Sequence, residues 1–229
     1  QPAQTRPART QAEKVHAKQV KFVVAATKAI SYIALLATAV WGLRGQEYWL
    51  FDPFKQHITF KPSIPVGVRV LYLAESAYYV YTLFSMFWEP RMKDRPQMIA
   101  HHLFTLFLLC TSYYYNAVKY GTAIVLLHDV SDPLMEIAKL FNYSNIAVGS
   151  HIFFGVFALS FFYLRVWIFP SQIIRATAVN SNHYPFYAGT FISLVGLWVL
   201  HVYWSYLICC VFYRNVVLGE TAGDVREDD

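Results

Sequence analysis

One stretch of this chain is apolar enough to lie in a lipid bilayer and yet carries a dense set of ionisable side chains. Residues 101 to 143 read HHLFTLFLLCTSYYYNAVKYGTAIVLLHDVSDPLMEIAKLFNY, with His101, His102, His128, Asp129, Asp132, Glu136 and Lys139 among them. Ionisable groups at membrane depth are expensive and mark functional sites by default. Laid out as two helices, the stretch has one polar stripe on each. On the first, His101, Thr105, Ser112 and Asn116 fall within about 60° of each other, with His102 and Tyr113 at the margin. On the second, His128, Asp129, Asp132, Glu136 and Lys139 cover roughly 100°. Such stripes are comfortable only when they face each other or a cavity.

The rest of the chain supports a membrane setting. At 56% hydrophobic, 18% aromatic and only 14% charged, it is too apolar for an ordinary soluble domain. Six helical crossings are predicted: 22–43, 66–88, a pair within 96–142 turning near Lys119 to Gly121, 146–170 and 186–212. The fold class is therefore all-α, a polytopic membrane bundle. Residues 1–20 read as a basic, polar arm without a helix cap, residues 21–214 as the membrane domain, and residues 215–229 as an acidic tail. Residues 44–65 and 171–184 read as loops. The chain opens on Gln1 with neither a methionine nor a signal peptide, as expected of part of a longer protein. With an even number of crossings both ends share one side. Basic residues favour the cytosol for that side by about two to one, counting Arg6, Arg9, Lys14, Lys18, Lys21, Arg91, Lys93, Arg95, Lys139 and Arg214 against Arg44, Lys55, Lys61, Lys119 and Arg175. The charge of +5 flanks apolar runs and forms no aromatic-interleaved patch, so nucleic acid is not an expected partner.

In this orientation His101 and His102 lie roughly 8 Å inside the cytosolic face, at depths overlapping those of the carboxylates. Pro133 has no N–H and crowds the carbonyl of Asp129, so the fourth helix should bend there beside two aspartates. Glu136 and Lys139 are spaced to pair along one face. Glu75 is a lone carboxylate among Tyr78, Tyr79 and Tyr81, suited either to pairing with a hydroxyl or amine or to a cavity role. Arg165 is buried in the fifth crossing, suited to a phosphate or to a buried acid. Histidine beside carboxylate permits proton transfer near neutral pH, and permits an imidazole to carry an acyl group. A structural polar network is the bland alternative. A zinc or non-haem iron site is another, although adjacent helical histidines point about 100° apart and no HExxH or HxxHH spacing occurs, so no metal ligand is assigned. Cys110, Cys209 and Cys210 sit in apolar runs without CxxC spacing, which indicates neither zinc nor a disulfide framework. The sequon Asn142-Tyr143-Ser144 falls at a membrane boundary and reads as chance.

Taken together, His101-His102, Thr105, Ser112-Tyr113, Asn116, Gly121, His128-Asp129, Ser131-Asp132, Glu136, Lys139 and Asn142-Tyr143 resemble the Lag1 motif of ceramide synthases, within the broader TLC-domain group. Glu75-Ser76, Lys93-Asp94, Arg165 with Phe169-Pro170, and His201 with Trp204 resemble the family's other landmarks. The resemblance covers about residues 70 to 215. It implies an endoplasmic-reticulum, multi-pass enzyme that moves a fatty acyl group from acyl-CoA to the amine of a sphingoid base, with no cofactor beyond that co-substrate. It further implies His101, His102, Asp129 and Asp132 as catalytic residues. His128, Ser131, Tyr113, Asn116, Arg165, Glu75, Trp204 and His201 are implied in substrate binding. The 171–184 loop resembles the family's specificity-linked region. Membrane lipids are expected partners, and a homo- or hetero-dimer or a small regulatory subunit is left open. A non-catalytic TLC protein that binds or sorts lipids, or assists translocation, is the alternative; it would not need the histidine and aspartate set.

Overall fold

The computed structural model describes residues 10–44, 64–89, 92–179 and 187–216. Eight helices are present among them: α1 (Gln11–Gly42), α2 (Val66–Ser85), α3 (Arg95–Tyr114), α4 (Val118–Asp129), α5 (Asp132–Tyr143), α6 (Ala147–Phe161), α7 (Arg175–Val179) and α8 (Tyr187–Val216), with a wide-wound π-helical segment, Phe162–Ile174, running from α6 into α7. They make six crossings, the fourth being α4 and α5 together and the fifth running from α6 to α7. Three helical stretches are by themselves long and apolar enough to cross a membrane: Gln11–Gly42, Ala147–Val179 and Tyr187–Asn215. α2 and α3, at 20 residues each, reach about 30 Å, the thickness of a hydrocarbon core. The outer surface is apolar, as a lipid-facing surface must be: Leu73, Leu159, Ile30 and Trp167 are all exposed.

The crossings form a closed ring. α1 packs on α2, α2 on α3, α3 on α8, α8 on the π segment, that segment on α6, α6 on α5, and α5 back on α1. The two halves of the fourth crossing are treated differently. Nine of the twelve residues of α4 are buried, and it packs against α1, α3 and the π segment as a plug. Only three of the twelve residues of α5 are buried. The chain breaks at Val130–Ser131, so α4 fills the ring at one end and α5 stands in its wall at the other. A cavity is left at the α5 end.

Pro133 explains the break, since it cannot continue the hydrogen-bond ladder of α4. The bend expected from the sequence is thus a full interruption. The carbonyl that gains a new partner is that of His128, bonded by Arg165, rather than that of Asp129. Asp132 then opens α5, where a negative charge suits the helix N-terminus.

Other expectations are corrected. The basic arm is shorter than residues 1–20. Thr10 caps α1, its hydroxyl accepting from the Glu13 amide at 3.4 Å while Glu13 accepts the Thr10 amide at 2.7 Å. Residues 11–20 are therefore helical, and residues 1–9 lie outside the described residues. The α3–α4 turn falls at 115–117, not 119–121. Asn116 takes φ 57°, and Ala117 N–H closes on Ser112 O at 2.7 Å, a Schellman ending that asparagine tolerates. Asn145, at φ 59°, ends α5 the same way. The fifth crossing does not stop at Pro170 but continues to Val179, because the wide winding absorbs the missing N–H. Most of the expected 171–184 loop is therefore helix, and residues 180–186 lie outside the described residues, as do most of the 44–65 loop (45–63) and most of the acidic tail (217–229).

One contact pins the plug to the ring. The space beside Gly121 of α4 is occupied by the Tyr72 hydroxyl of α2, which also bonds Ser112 at 3.0 Å. A Cβ at Gly121 would sit 1.8 Å from the Tyr72 oxygen. Gly121→Ala should cost about 1–3 kcal/mol by overpacking, read as a lower melting midpoint of the detergent-solubilised protein. Adding Tyr72→Phe, which removes the clashing oxygen, should recover part of the loss.

Candidate active site

The ring encloses a cleft of about 210 Å³ whose mouth lies where α5 ends, α6 begins and α8 ends, bordered by Lys139, Asn142, Ser150, His151 and Asn215. Its walls are apolar: Phe154 and Phe157 from α6, and Leu207, Ile208 and Val211 from α8. His101, His102, Asp132, Arg165, Tyr79 and Trp204 line the inner end. Trp204 is eleven residues before Asn215 on α8, which places this polar end about 16 Å inside the mouth.

The two adjacent histidines are held differently. His102 has both ring nitrogens engaged, Nδ1 with Met98 O at 2.7 Å and Nε2 with Thr82 Oγ1 at 2.9 Å. A carbonyl can only accept, so Nδ1 donates to Met98 O, while Nε2 lies against the Thr82 hydroxyl, which also donates to Tyr78 O at 2.8 Å. Neither ring nitrogen of His101 makes a hydrogen bond among the described residues. Its ring is held instead by neighbouring rings: Trp204 at 5.4 Å between centroids, His102 at 5.6 Å, Tyr79 at 6.0 Å and His128 at 6.1 Å.

A second layer lies behind His101. His128 donates Nδ1–H to Ile124 O at 2.7 Å, so its Nε2 accepts from Nε2–H of His201 at 3.0 Å. His201 is fully buried and Ser131, whose hydroxyl bonds the His128 carbonyl at 3.2 Å, is too. The carboxyls of Glu75 and Asp129 are buried in the same layer, 1% and 3% exposed, with Glu75 one turn from Tyr79 on α2. Arg165, carried inward by the π segment, bonds the His128 carbonyl at 2.6 Å and pairs with Asp132. Lys139 and Glu136 pair at 3.0 Å nearer the mouth.

The sequence-predicted residues thus fall into three groups. His101, His102, Asp132, Arg165 and Trp204 border the cleft. His128, Asp129, Ser131, His201 and Glu75 form the buried layer behind it. Tyr113 and Asn116 do neither: Tyr113 is exposed, against Tyr72 on the outside of the bundle, and Asn116 forms the turn at the far end of α3. Three cleft-forming contacts escape a periodicity reading. Thr82 holds His102, Tyr79 packs on both histidines, and Asp94 accepts the Trp204 indole at 3.1 Å. Glu75, Tyr79 and Thr82 share one face of α2 at spacings of four and three, a signal that marks Tyr79 and Thr82 once Glu75 is chosen.

Residues 21–210 match the family model for the TLC domain. The chain belongs to the TLC-domain family. It is 34% identical over 214 residues to ceramide synthase 4 of Bos taurus, covering 91% of this chain and 54% of that protein. It is 35% identical over 177 residues to ceramide synthase LOH2 of Arabidopsis thaliana, covering 72% and 60%. To ASC1-like protein 3 of Oryza sativa subsp. japonica it is 32% identical over 225 residues, covering 93% and 78%. The chain thus spans little more than half the length of the ceramide synthases it resembles. The TLC match runs from within α1 to within α8, so it takes in the plug, most of the ring and all of the cleft except its Val211 and Asn215 edge.

The Arg165–Asp132 pair is open to a direct test. Removing one partner strands a charge in the bundle at a cost of about 3–5 kcal/mol, whereas replacing both with apolar residues costs far less. Asp132→Leu should therefore lower the melting midpoint more than Asp132→Leu combined with Arg165→Met does. Equal losses in the two proteins would remove the pair from the account of the fold.

Proposed function

We propose that the chain carries the acyltransferase centre of a ceramide synthase, moving a fatty acyl group from acyl-CoA to the amine of a sphingoid base. The observation that carries this reading is the state of His101: a buried imidazole at the inner end of an apolar cleft, with neither ring nitrogen hydrogen-bonded among the described residues, beside a second histidine with both engaged. An apolar cleft with a polar mouth suits a lipid tail joined to a large polar carrier. The membrane character of the ring and the names of the similar proteins support the same substrate pair, and an endoplasmic-reticulum location goes with it. The basic bias of the sequence supports placing the cleft mouth and both observed ends in the cytosol, where acyl-CoA is supplied.

On this reading an unprotonated nitrogen of His101 attacks the thioester carbonyl. The C–S bond breaks, CoA departs as the thiolate, and an acyl-imidazole remains. The sphingoid amine then attacks the same carbon, the bond from that carbon to the His101 nitrogen breaks, and the amine proton passes to the released imidazole as the amide forms. Release of CoA before the second lipid binds eases the demand on a narrow cleft. His102, bonded on both sides, positions the pair. Asp132 borders the reacting region and sets the charge that Arg165 presents there. Asp129 acts from the layer behind, and Glu136, already paired with Lys139, contributes less.

Intact-mass measurement after exposure to acyl-CoA alone tests this. The native protein should gain one acyl mass, discharge it on addition of sphingoid base, and show none as His101→Ala. In sealed membrane vesicles with the cytosolic face outward, acyl-CoA added outside should suffice for turnover. Turnover on an unmodified protein would assign direct transfer, with His101 as the base that takes the amine proton. No turnover with any acyl-CoA would favour a lipid-binding TLC protein.

A further inference from the structure

Asp94 stands at the N-terminus of α3, where a carboxylate ordinarily caps the helix, yet it makes no capping bond. Its side chain turns inward, 1% exposed, and Oδ2 accepts the indole N–H of Trp204 at 3.1 Å. This ties the start of α3 to the middle of α8. Trp204 is itself buried and meets the His101 ring edge to face, with 5.4 Å between centroids and 77° between planes.

The two facts combine because of what His101 lacks. An imidazole with no hydrogen bond is oriented by packing alone, and Trp204 is the nearest ring to it. An indole has a single donor, so the acceptor that binds Nε1 also selects which edge of the ring faces inward. A flipped Trp204 would leave both its own N–H and the Asp94 carboxylate without this bond in a buried setting.

We infer that Asp94 is a positioning residue for acyl transfer: through the Trp204 indole it fixes the orientation of the His101 ring. The inference rests on the reading of His101 as the reacting histidine. It assigns a role to a residue that never touches the substrate and lies seven positions before His101 on the same helix.

The test compares purified Asp94→Asn, Asp94→Leu, Trp204→Phe and the Asp94→Leu/Trp204→Phe double variant with the native protein. Two readouts are taken: turnover with acyl-CoA and sphingoid base, and the rate at which diethyl pyrocarbonate modifies His101, followed by peptide mass spectrometry. Asparagine keeps an acceptor, so Asp94→Asn should stay within about threefold of native in both readouts, whereas leucine keeps only the volume. Asp94→Leu should lower kcat about tenfold at an acyl-CoA KM within about twofold, Trp204→Phe should lower kcat about as far, and the double variant should be no worse than either. His101 modification should rise at least about threefold in the leucine and phenylalanine variants, because the imidazole is no longer pinned. Asp94→Leu matching Asp94→Asn in both readouts overturns the inference, as do single losses that multiply in the double variant. If no variant, nor the native protein, transfers an acyl group, the labelling readout still decides. Faster His101 labelling in Asp94→Leu but not in Asp94→Asn then upholds the tether while refuting the acyltransferase reading.

Discussion

Everything in the bundle depends on how the fourth crossing is broken and refastened. A chain that abandons its helical ladder inside a membrane exposes carbonyls that lipid cannot satisfy. Here Arg165 and Ser131 both bond the His128 carbonyl, and Arg165 also pairs with Asp132 on the far side of the break. A guanidinium suits the task because one terminal nitrogen carries two N–H donors and here serves both acceptors. Arg165 reaches them from the π segment, where Pro170 is also accommodated. Two prolines in two crossings thus create complementary irregularities, one freeing an acceptor and the other accompanying a displaced donor. The result is a plug at one end of the ring and a cleft at the other.

The same break sets the order of the buried groups. α4 delivers His128 and Asp129 to the layer behind the cleft as it ends, and α5 delivers Asp132 to the cleft itself as it begins. α3 brings His101 and His102 to that level, and α8 brings His201 and Trp204. Four histidines therefore meet without a shared hydrogen-bond chain. His128 and His201 bond each other, His102 bonds Met98 and Thr82, and His101 is left with aromatic neighbours only. A ring so placed keeps its lone pair available, which a nucleophile or base requires. The cost is that its orientation must come from packing, so the rings around it carry a share of the function.

Much of this was legible in the sequence. The apolar runs fixed a membrane bundle, and Pro133 between Asp132 and Leu134 marked the interruption that shapes the cleft. The histidine pair and the acidic stripe do converge. What escaped the sequence has physical causes. The start of α1 was hidden because its first turns are polar, although Thr10 and Glu13 are spaced as a capping box. Pro170 read as a helix end because proline usually is one, and nothing local announces that a wider winding will absorb it. Tyr113 and Asn116 continued the polar period of α3 on paper, but Asn116 ends the helix and Tyr113 turns to the outside. The links Thr82–His102 and Asp94–Trp204 join residues 20 and 110 positions apart, and no periodicity reports a contact between helices.

The central claim is that His101, and not His102, meets the reacting carbon because, of the two, His101 alone has ring nitrogens without a hydrogen bond among the described residues. An experimental structure of the protein trapped with a fatty acyl-CoA in the absence of sphingoid base tests it most directly. The account predicts density continuous from a ring nitrogen of His101 to the acyl carbonyl, with the tail along the Phe154, Phe157 and Ile208 walls and His102 still bonded to Met98 and Thr82. An acyl carbon on His102, with its bond to Thr82 broken, would contradict it.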